Sequence, residues 1–264
     1  MGNLPAFLDL PGRARKPRRR GVTHVLDKGM SIPDVEGMLA QAGDLIDVVK
    51  VGWGVAYLDR QLDLRLHVYR RAGILVSLGG TLLEIAVQQD RLDELRRWAL
   101  RCGIGAVEVS NGLGGLAPGT KTALVSSLAA DFTVLAEVGS KDASTPVVAA
   151  AWLAEMADDL SAGARWVIAE GRESGTVGLY RADGTVREEL VDAIVSRICV
   201  ERIIFEAPQK SQQAWFIQRF GPDVNLGNVP PDEVMSLETL RVGLRADTAD
   251  LAMPAPALTA EALG

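Results

Sequence analysis

The stretch Val134-Leu-Ala-Glu-Val-Gly-Ser-Lys141 carries a pattern that recurs along this chain. It has the pattern of a short buried strand that ends in a carboxylate, followed by a glycine turn and a lysine. Three further apolar runs share this design: Ala106-Val-Glu-Val-Ser-Asn-Gly112, Trp166-Val-Ile-Ala-Glu-Gly171 and Arg202-Ile-Ile-Phe-Glu-Ala207. Each run delivers a glutamate near its carboxyl end. Because burying an unpaired carboxylate costs several kcal/mol, the four glutamates predict nearby cations, either a metal or Lys/Arg.

The same strand-then-helix unit recurs eight times along the chain. The predicted strands begin near residues 21, 45, 74, 106, 134, 166, 202 and 223. Short apolar strands that alternate with helices imply a parallel sheet, and eight units in about 250 residues is the size of a (β/α)8 barrel. An open doubly wound sheet is the alternative. We predict a single-domain α/β protein, a (β/α)8 TIM barrel, with an arm at 1–15, the barrel at 16–250 and a tail at 251–264.

Capping residues, prolines and glycines between the predicted strands indicate where the helices begin and end. Ser31 followed by Pro33 is a helix-start signal, a cap and then a first-turn proline. One helix is expected to end at Ala72, and another to fill 83–102. A small hairpin or turn is expected over 178–184, and the eighth strand is expected to cover 223–226.

The composition excludes several classes of function. The chain has 264 residues and a net charge of -6, with a pI near 5.1, which argues against general nucleic-acid binding. No apolar run reaches the roughly 18 residues of a membrane span. Cys102 and Cys199 have neither a disulfide framework nor metal-ligand spacing, so we expect a cytoplasmic protein. With only two histidines, a catalytic triad is disfavoured.

Polar residues gather at the predicted carboxyl ends of the strands, which is where (β/α)8 barrels place their active sites. The candidate metal ligands are Glu108, Glu137, Glu170 and Glu206. The candidate substrate-binding residues are Lys28, Lys50, Gly79, Gly80, Thr81, Ser110, Lys210, Asn225, Gly227 and Asn228. The candidate catalytic residues are Glu137, Lys141 and Arg172. For any one of them, a purely structural role in pairing charges across the barrel mouth is the alternative.

The residue types in this set indicate the chemistry. Several carboxylates without histidine suit a hard, oxygen-binding ion such as Mg2+ rather than Zn2+. Lysines and an arginine suit an anionic substrate, since arginine can bind a carboxylate or phosphate through two bonds. Glycine turns leave backbone N–H groups accessible to phosphate. The residues alone therefore predict a Mg2+-assisted enzyme acting on a small phosphorylated acid, and they do not specify the reaction.

Motifs along almost the whole chain resemble those of the phosphosulfolactate synthase family. The matching stretches are Lys16-Pro-Arg18, Gly21 with Thr23, Asp27-Lys-Gly29, Asp47-Val-Val-Lys-Val-Gly-Trp-Gly54, Gly79-Gly-Thr81 with Glu84, Glu108-Val-Ser110 with Gly112, Glu137-Val-Gly139 with Lys141, Glu170-Gly-Arg-Glu-Ser-Gly175, Glu206-Ala-Pro208, Val224-Asn-Leu-Gly-Asn228 and Arg241-Val-Gly-Leu-Arg245 with Asp247 and Thr248. They occur in order from about residue 16 to 248.

The resemblance implies a Mg2+-dependent (β/α)8 lyase that adds sulfite to phosphoenolpyruvate and gives 2-phospho-3-sulfolactate. It also implies a place in coenzyme M biosynthesis and a homo-oligomer, and it assigns proton transfer to Lys141. Ser140, Asn111 and Val55 depart from the family pattern. They leave open an enzyme that adds another nucleophile to phosphoenolpyruvate or a related enolpyruvyl acid. A non-catalytic, stress-associated barrel protein is the third hypothesis, since the family has plant relatives of that description.

Overall fold

The chain forms a closed barrel of parallel strands in sequence order, with the eighth strand beside the first. The computed structural model describes residues 7–117, 119–140, 142 and 144–253. The strands are β1 (Thr23–Asp27), β2 (Val48–Val51), β3 (Leu75–Leu78), β4 (Ala106–Val109), β5 (Thr133–Val138), β6 (Trp166–Ala169), β7 (Ile203–Glu206) and β8 (Leu226–Val229). The predicted (β/α)8 barrel is confirmed, and the open sheet is excluded.

Helices connect the strands and surround the barrel. They are α1 (Ile32–Ala42), α2 (Val55–Leu58), α3 (Leu62–Arg71), α4 (Gly80–Gln88), α5 (Leu92–Cys102), α6 (Thr120–Leu128), α7 (Ala149–Ser161), α8 (Glu188–Val195), α9 (Lys210–Phe220) and α10 (Val234–Arg241). The predicted start of the first helix is confirmed, because the Ser31 side chain accepts a hydrogen bond from the backbone N–H of Asp34. No helix in the described ranges has the length and apolarity needed to cross a membrane.

Successive side chains of each strand point alternately out of and into the barrel, and they form two apolar regions. Outward side chains such as Val25 and Val49 pack between the sheet and the helices. Inward side chains, among them Leu135, Trp166 and Ile168, form a second cluster that fills the amino-terminal half of the barrel. The carboxyl-terminal half is therefore left for polar side chains.

Three predicted elements have different boundaries in the structure. The helix expected to end at Ala72 is two helices, α2 and α3. The helix expected over 83–102 is also two, α4 and α5, because Asp90 between them adopts a left-handed backbone with φ 56°, a conformation that aspartate tolerates better than most residues. The predicted hairpin near 178–184 is a single antiparallel bridge between Tyr180 and Val186.

The eighth strand begins three residues later than predicted, at Leu226. The reason is that the Asn225 side chain bonds the backbone of its neighbours. It accepts from the N–H of Val22 at 2.9 Å and donates to the carbonyls of Glu201 and Ile203 at 3.1 and 3.0 Å. Asn225 therefore lies at the amino-terminal end of the barrel, opposite the end where the sequence placed it.

Basic residues near the start of the chain attach to that same amino-terminal end. Arg13 forms ion pairs with Asp223 at 2.5 Å and Glu238 at 3.0 Å. Arg18 pairs with Asp47 at 3.1 Å, just before β2. Residues 7–22 contain no helix or strand, yet these contacts hold them against the barrel.

Candidate active site

A cavity of about 240 Å3 opens at the carboxyl ends of the strands. It is lined by Leu26, Lys50, Gly52, Trp53, Gly79, Gly80, Thr81, Glu108, Leu113, Glu137, Glu170, Arg172, Glu173, Glu206 and Asn228. Five of these described lining residues are glutamates and two, Lys50 and Arg172, are cationic. When all are ionised, the lining carries a surplus of negative charge.

Lys50 lies at the centre of the glutamates. Its ammonium is 3.1 Å from Glu206 Oε1, 3.2 Å from Glu108 Oε2 and 4.0 Å from Glu137 Oε2. Burial alone would lower the pKa of this ammonium, but the surrounding carboxylates, Glu108 and Glu206 above all, raise it well above its ordinary value. Lys50 is therefore a permanently charged counterion inside the barrel.

Glu170 has a strongly perturbed carboxyl group in the cavity. Burial, together with the negative charges of Glu137 and Glu206, raises the pKa of Glu170 well above its usual range. Its Oε1 accepts the backbone N–H of Arg172 at 2.7 Å, whereas its buried Oε2 has no hydrogen-bond partner within the part of the chain that the structure describes. Such an oxygen is available to a cation or to a proton.

Glu206 organises the loop that follows β6. Its Oε2 accepts the backbone N–H groups of both Gly171 and Arg172 at 2.9 Å. The hydroxyl of Tyr180 donates to its main-chain carbonyl. Arg172 adopts a left-handed backbone with φ 59°, and these bonds hold it there. The loop is thereby oriented so that Arg172 faces the cavity.

Glu108 connects the cavity to the barrel interior. Its Oε2 accepts the Gly80 N–H at 3.4 Å, and its Oε1 lies 3.2 Å from Nε2 of the fully buried His24. His24 was not among the predicted site residues. The alternation of side chains along β1 could have predicted its inward orientation, because His24 and Leu26 share the inward face with Lys50 of β2.

A buried lysine outside the predicted site supports β5. Lys121, on α6, donates to the carbonyl of Glu137 at 2.6 Å and to the carboxylates of Asp159 at 2.7 Å and Glu155 at 2.5 Å on α7. It therefore joins the end of β5 to two helices. A signal existed in the sequence, because Lys121 lies on the apolar face of α6 together with Leu124, Val125 and Leu128, at the spacing of one helix face.

Two other carboxylates fix the loops beside the cavity. Glu84, fully buried on α4, accepts the hydroxyl of Ser110 and the N–H groups of Gly112 and Leu113 at 3.2 and 2.8 Å. Asp27 accepts the N–H groups of Gly29 and Met30 and also bonds Arg65 and Tyr69, each at 2.8 Å. These bonds determine the shape of the loops after β4 and β1.

The structure brings together most of the predicted site. The predicted residues that line the cavity are Lys50, Gly79, Gly80, Thr81, Glu108, Glu137, Glu170, Arg172, Glu206 and Asn228. Lys141, predicted to transfer the proton, lies outside the described residues. Lys28 lies at the rim, exposed, with its ammonium 5.5 Å from the centroid of the Trp53 ring.

Besides Lys28, four predicted substrate-binding residues do not line this cavity. Ser110 is buried and donates to Glu84, while Asn225 lies at the opposite end of the barrel. Lys210 is paired at the surface with Asp247 at 2.6 Å. Gly227 lies within β8, where a side chain would collide with Ile204 and His24; its role is packing.

The four predicted metal ligands do not form one ready-made metal centre. Within the described ranges, no group of three or more carboxylate, histidine or cysteine side chains is arranged to hold an ion. The ammonium of Lys50 occupies the space between Glu108 and Glu206. The oxygen-only donors still suit Mg2+, which usually binds through one or two carboxylates together with water and substrate oxygens.

Comparison with known proteins agrees with this architecture. A family model described as (2R)-phospho-3-sulfolactate synthase (ComA) matches residues 11–247. Phosphosulfolactate synthase of Bacillus subtilis (strain 168) is 41% identical over 244 residues, which cover 91% of this chain and 97% of that protein. The enzyme of the same name from Methanocaldococcus jannaschii is 43% identical over 236 residues, which cover 87% and 94%.

A solved structure of 3-hexulose-6-phosphate synthase from Salmonella typhimurium superimposes with a TM-score of 0.54 at 14% identity, covering 88% of this chain and 94% of that one. This likeness shows the fold alone. The family model and the two relatives span nearly the whole chain, and they identify a lyase-type enzyme that acts on small anionic substrates. The resemblance seen in the sequence motifs is confirmed, and the chain belongs to the (2R)-phospho-3-sulfolactate synthase family.

Proposed function

We propose that the protein catalyses the Mg2+-dependent addition of sulfite to phosphoenolpyruvate, giving 2-phospho-3-sulfolactate. The observation that carries this proposal is the cavity at the barrel mouth, where glutamates outnumber cations among the lining residues that the structure describes. A negatively charged lining repels a polyanionic substrate, so a divalent cation has to enter with it. The composition of this cavity, in a member of this family, therefore supports a metal-assisted reaction of a phosphorylated acid.

Glu170 is the Mg2+ ligand that the contacts favour among the four predicted, and Glu137 lines the same cavity. Glu108 and Glu206 lie closer to Lys50, at 3.2 and 3.1 Å. Glu170 carries a buried oxygen with no partner in the described ranges, and burial beside Glu137 and Glu206 raises its pKa, an effect that a bound cation would oppose. Mg2+, when bound, supplies positive charge to the substrate carboxylate as negative charge develops there.

The cavity residues then hold and orient the substrate. Arg172 suits two-bond contact with the phosphate or carboxylate, and the amino terminus of α4 at Gly80 and Thr81 presents positive dipole to an anion. The sulfur lone pair of sulfite forms a bond to C3, and the electrons of the C2–C3 double bond move onto the carboxylate as an enediolate. C2 then takes a proton, which we assign to Lys141.

The departures from the family pattern give no specific support to a different nucleophile. Ser140 bonds Thr145 and the N–H of Asp142, both at 3.1 Å, within its own loop. Asn111 accepts the N–H of Leu116 at 3.0 Å. Neither side chain lines the cavity. A non-catalytic stress protein is disfavoured because such a protein has no need for a costly buried charge cluster.

We also infer a cytoplasmic location and a homo-oligomer. The two cysteines, Cys102 and Cys199, are both free thiols, which suits a reducing compartment. Tyr57 and Leu58 on α2 expose 72% and 79% of their surface, which is more typical of a covered contact than of a free surface. Light scattering on the purified protein tests the oligomer, and a monomer would contradict it.

The reaction is tested by incubating the purified protein with phosphoenolpyruvate, sulfite and Mg2+, with and without EDTA, and analysing the products by mass spectrometry. We expect a sulfite adduct that EDTA abolishes, that Lys141→Ala abolishes, and that the matched surface variant Lys210→Ala retains. An adduct formed equally with EDTA would contradict the role of the metal. Normal turnover by Lys141→Ala would contradict the proton transfer, and no adduct from the unmodified protein would contradict the reaction.

A further inference from the structure

Strained backbone marks the rim of the cavity. Four non-glycine residues in the described ranges have positive φ: Trp53, Asp90, Arg172 and Asn228. All but Asp90 line the cavity. For a bulky residue such as tryptophan this conformation is an outlier that costs free energy, and it persists at sites where function requires it. Arg172 and Asn228 belong to the predicted site, whereas Trp53, with φ 52°, had no assigned role.

Trp53 does not hold the fold together. Its side chain is 56% exposed, and glycines precede and follow it in the turn after β2. An exposed aromatic residue in a strained turn between two glycines stabilises little, so packing does not account for its conformation. Its ring does contact a charge, because the ammonium of Lys28 lies over it, 5.5 Å from the centroid.

Lys28 comes from the neighbouring loop, and the two loops are built to meet. Asp27 fixes the loop after β1 by accepting the N–H groups of Gly29 and Met30. Any side chain at Gly29 would touch the methyl groups of Val55, the first residue of α2. Lys28 itself does not line the cavity, so the Trp53 ring is what joins its ammonium to the cavity wall.

A cation at the rim would reduce the electrostatic repulsion between the cavity and an anionic substrate. The floor of the cavity holds Glu108, Glu137, Glu170 and Glu206 with Lys50 among them. The negative potential of these carboxylates repels an anion that enters the cavity. Positive charge at the rim lowers that barrier, and a ring face holds an ammonium without neutralising it, as a carboxylate partner would.

We propose that Trp53 is a positioning residue for substrate binding, whose ring holds the Lys28 ammonium at the cavity mouth to receive the phosphate of a phosphorylated acid. The proposal rests on the substrate class proposed above. In this view, the left-handed turn at Trp53 exists to direct the ring toward Lys28 across the rim. The strain at this position then serves binding and detracts from stability.

Asparagine at position 53 separates binding from stability, because asparagine adopts the left-handed conformation with less strain than tryptophan and has no ring. We expect Trp53→Asn to unfold at the same temperature as the parent protein or higher, and to bind phosphoenolpyruvate with Mg2+ about two- to five-fold more weakly, the size of an exposed cation–π contact. The matched control is Asp90→Asn, which changes the strained position remote from the cavity. It should leave affinity unchanged.

A double-variant cycle on the dissociation constant, measured by calorimetry, decides the mechanism. If Trp53 acts through Lys28, then Trp53→Asn weakens binding in the parent protein and has no further effect in Lys28→Met. If the two substitutions weaken binding independently, so that their fold-changes in dissociation constant multiply in the double variant, the positioning role is wrong. It is also wrong if Trp53→Asn leaves the affinity unchanged or lowers the stability of the protein. Failure of the parent protein to bind phosphoenolpyruvate would instead refute the proposed substrate, and this inference with it.

Discussion

Replacing Lys50 with methionine should destabilise the protein strongly while leaving its shape almost unchanged. Methionine matches the length and apolar stem of lysine and removes only the ammonium. In the parent protein that ammonium lies 3.1 Å from Glu206, 3.2 Å from Glu108 and 4.0 Å from Glu137. The variant keeps these carboxylates buried and deprives them of their shared counterion.

The expected loss follows from these distances. One ion pair at 3.1 Å is worth about 5 kcal/mol at an effective dielectric constant of about 20, before desolvation. Lys50 makes two such contacts and a longer third one, and burying the ammonium cancels part of their sum. Removing one partner from a buried ion pair typically costs about 3–5 kcal/mol, and we expect a loss of that size in the free energy of unfolding. Few domains have much more than about 5–15 kcal/mol to lose.

Urea unfolding at several pH values measures this loss. Without Lys50, keeping the neighbouring carboxylates ionised and buried costs more free energy, so the deficit should be smaller at acidic pH and larger at neutral and alkaline pH. Adding Glu206→Gln to Lys50→Met should recover part of the stability. Lys210→Met, which removes an exposed pair with Asp247, should cost far less. A deficit below about 1 kcal/mol, or no recovery in the double variant, would refute the reasoning.

Two further predictions concern neighbouring groups. Burial and the charges of Glu137 and Glu206 raise the pKa of Glu170 in the folded protein, so its contribution to stability is full below the unfolded value of 4.5 and is lost as the pH rises toward the folded value. Glu170→Gln should therefore be more stable than the parent at neutral pH without ligands; urea midpoints that coincide at every pH would contradict this. Lys121→Met should lower the free energy of unfolding by about 3 kcal/mol, because its buried partner Asp159 is left unpaired. In thermal melts, adding Asp159→Asn should restore part of that loss, and an unchanged melting temperature in the single variant would argue against the role of Lys121.

The barrel was predictable because its signals are local and repeated. Each strand is an apolar run closed by a polar residue and a glycine, and the rule that parallel strands end on one side gathers their ends without knowledge of any contact. For this reason Glu108, Glu137, Glu170 and Glu206 were predicted to lie together, and they line one cavity.

The remaining errors come from boundaries and long-range contacts. A shift of three residues in β8 moved Asn225 from the predicted mouth to the opposite end. Ser110 looked available because its partner Glu84 lies 26 positions away on α4. Lys121 was overlooked because its acceptors Glu155 and Asp159 belong to the following unit. Side-chain partners of this kind depend on packing between helices, which sequence periodicity does not describe.

The attachment of the N-terminal segment has a consequence for how the chain is made. Arg13 bonds Asp223 and Glu238, more than 200 positions later in the sequence. During synthesis, Arg13 leaves the ribosome long before Asp223 and Glu238, so it has no partners until β8 and α10 have followed. The segment is therefore exposed until the later part of the barrel has been synthesised. It can dock only after β8 and α10 are present. Contacts of such high sequence separation form late and slow the search for the native state.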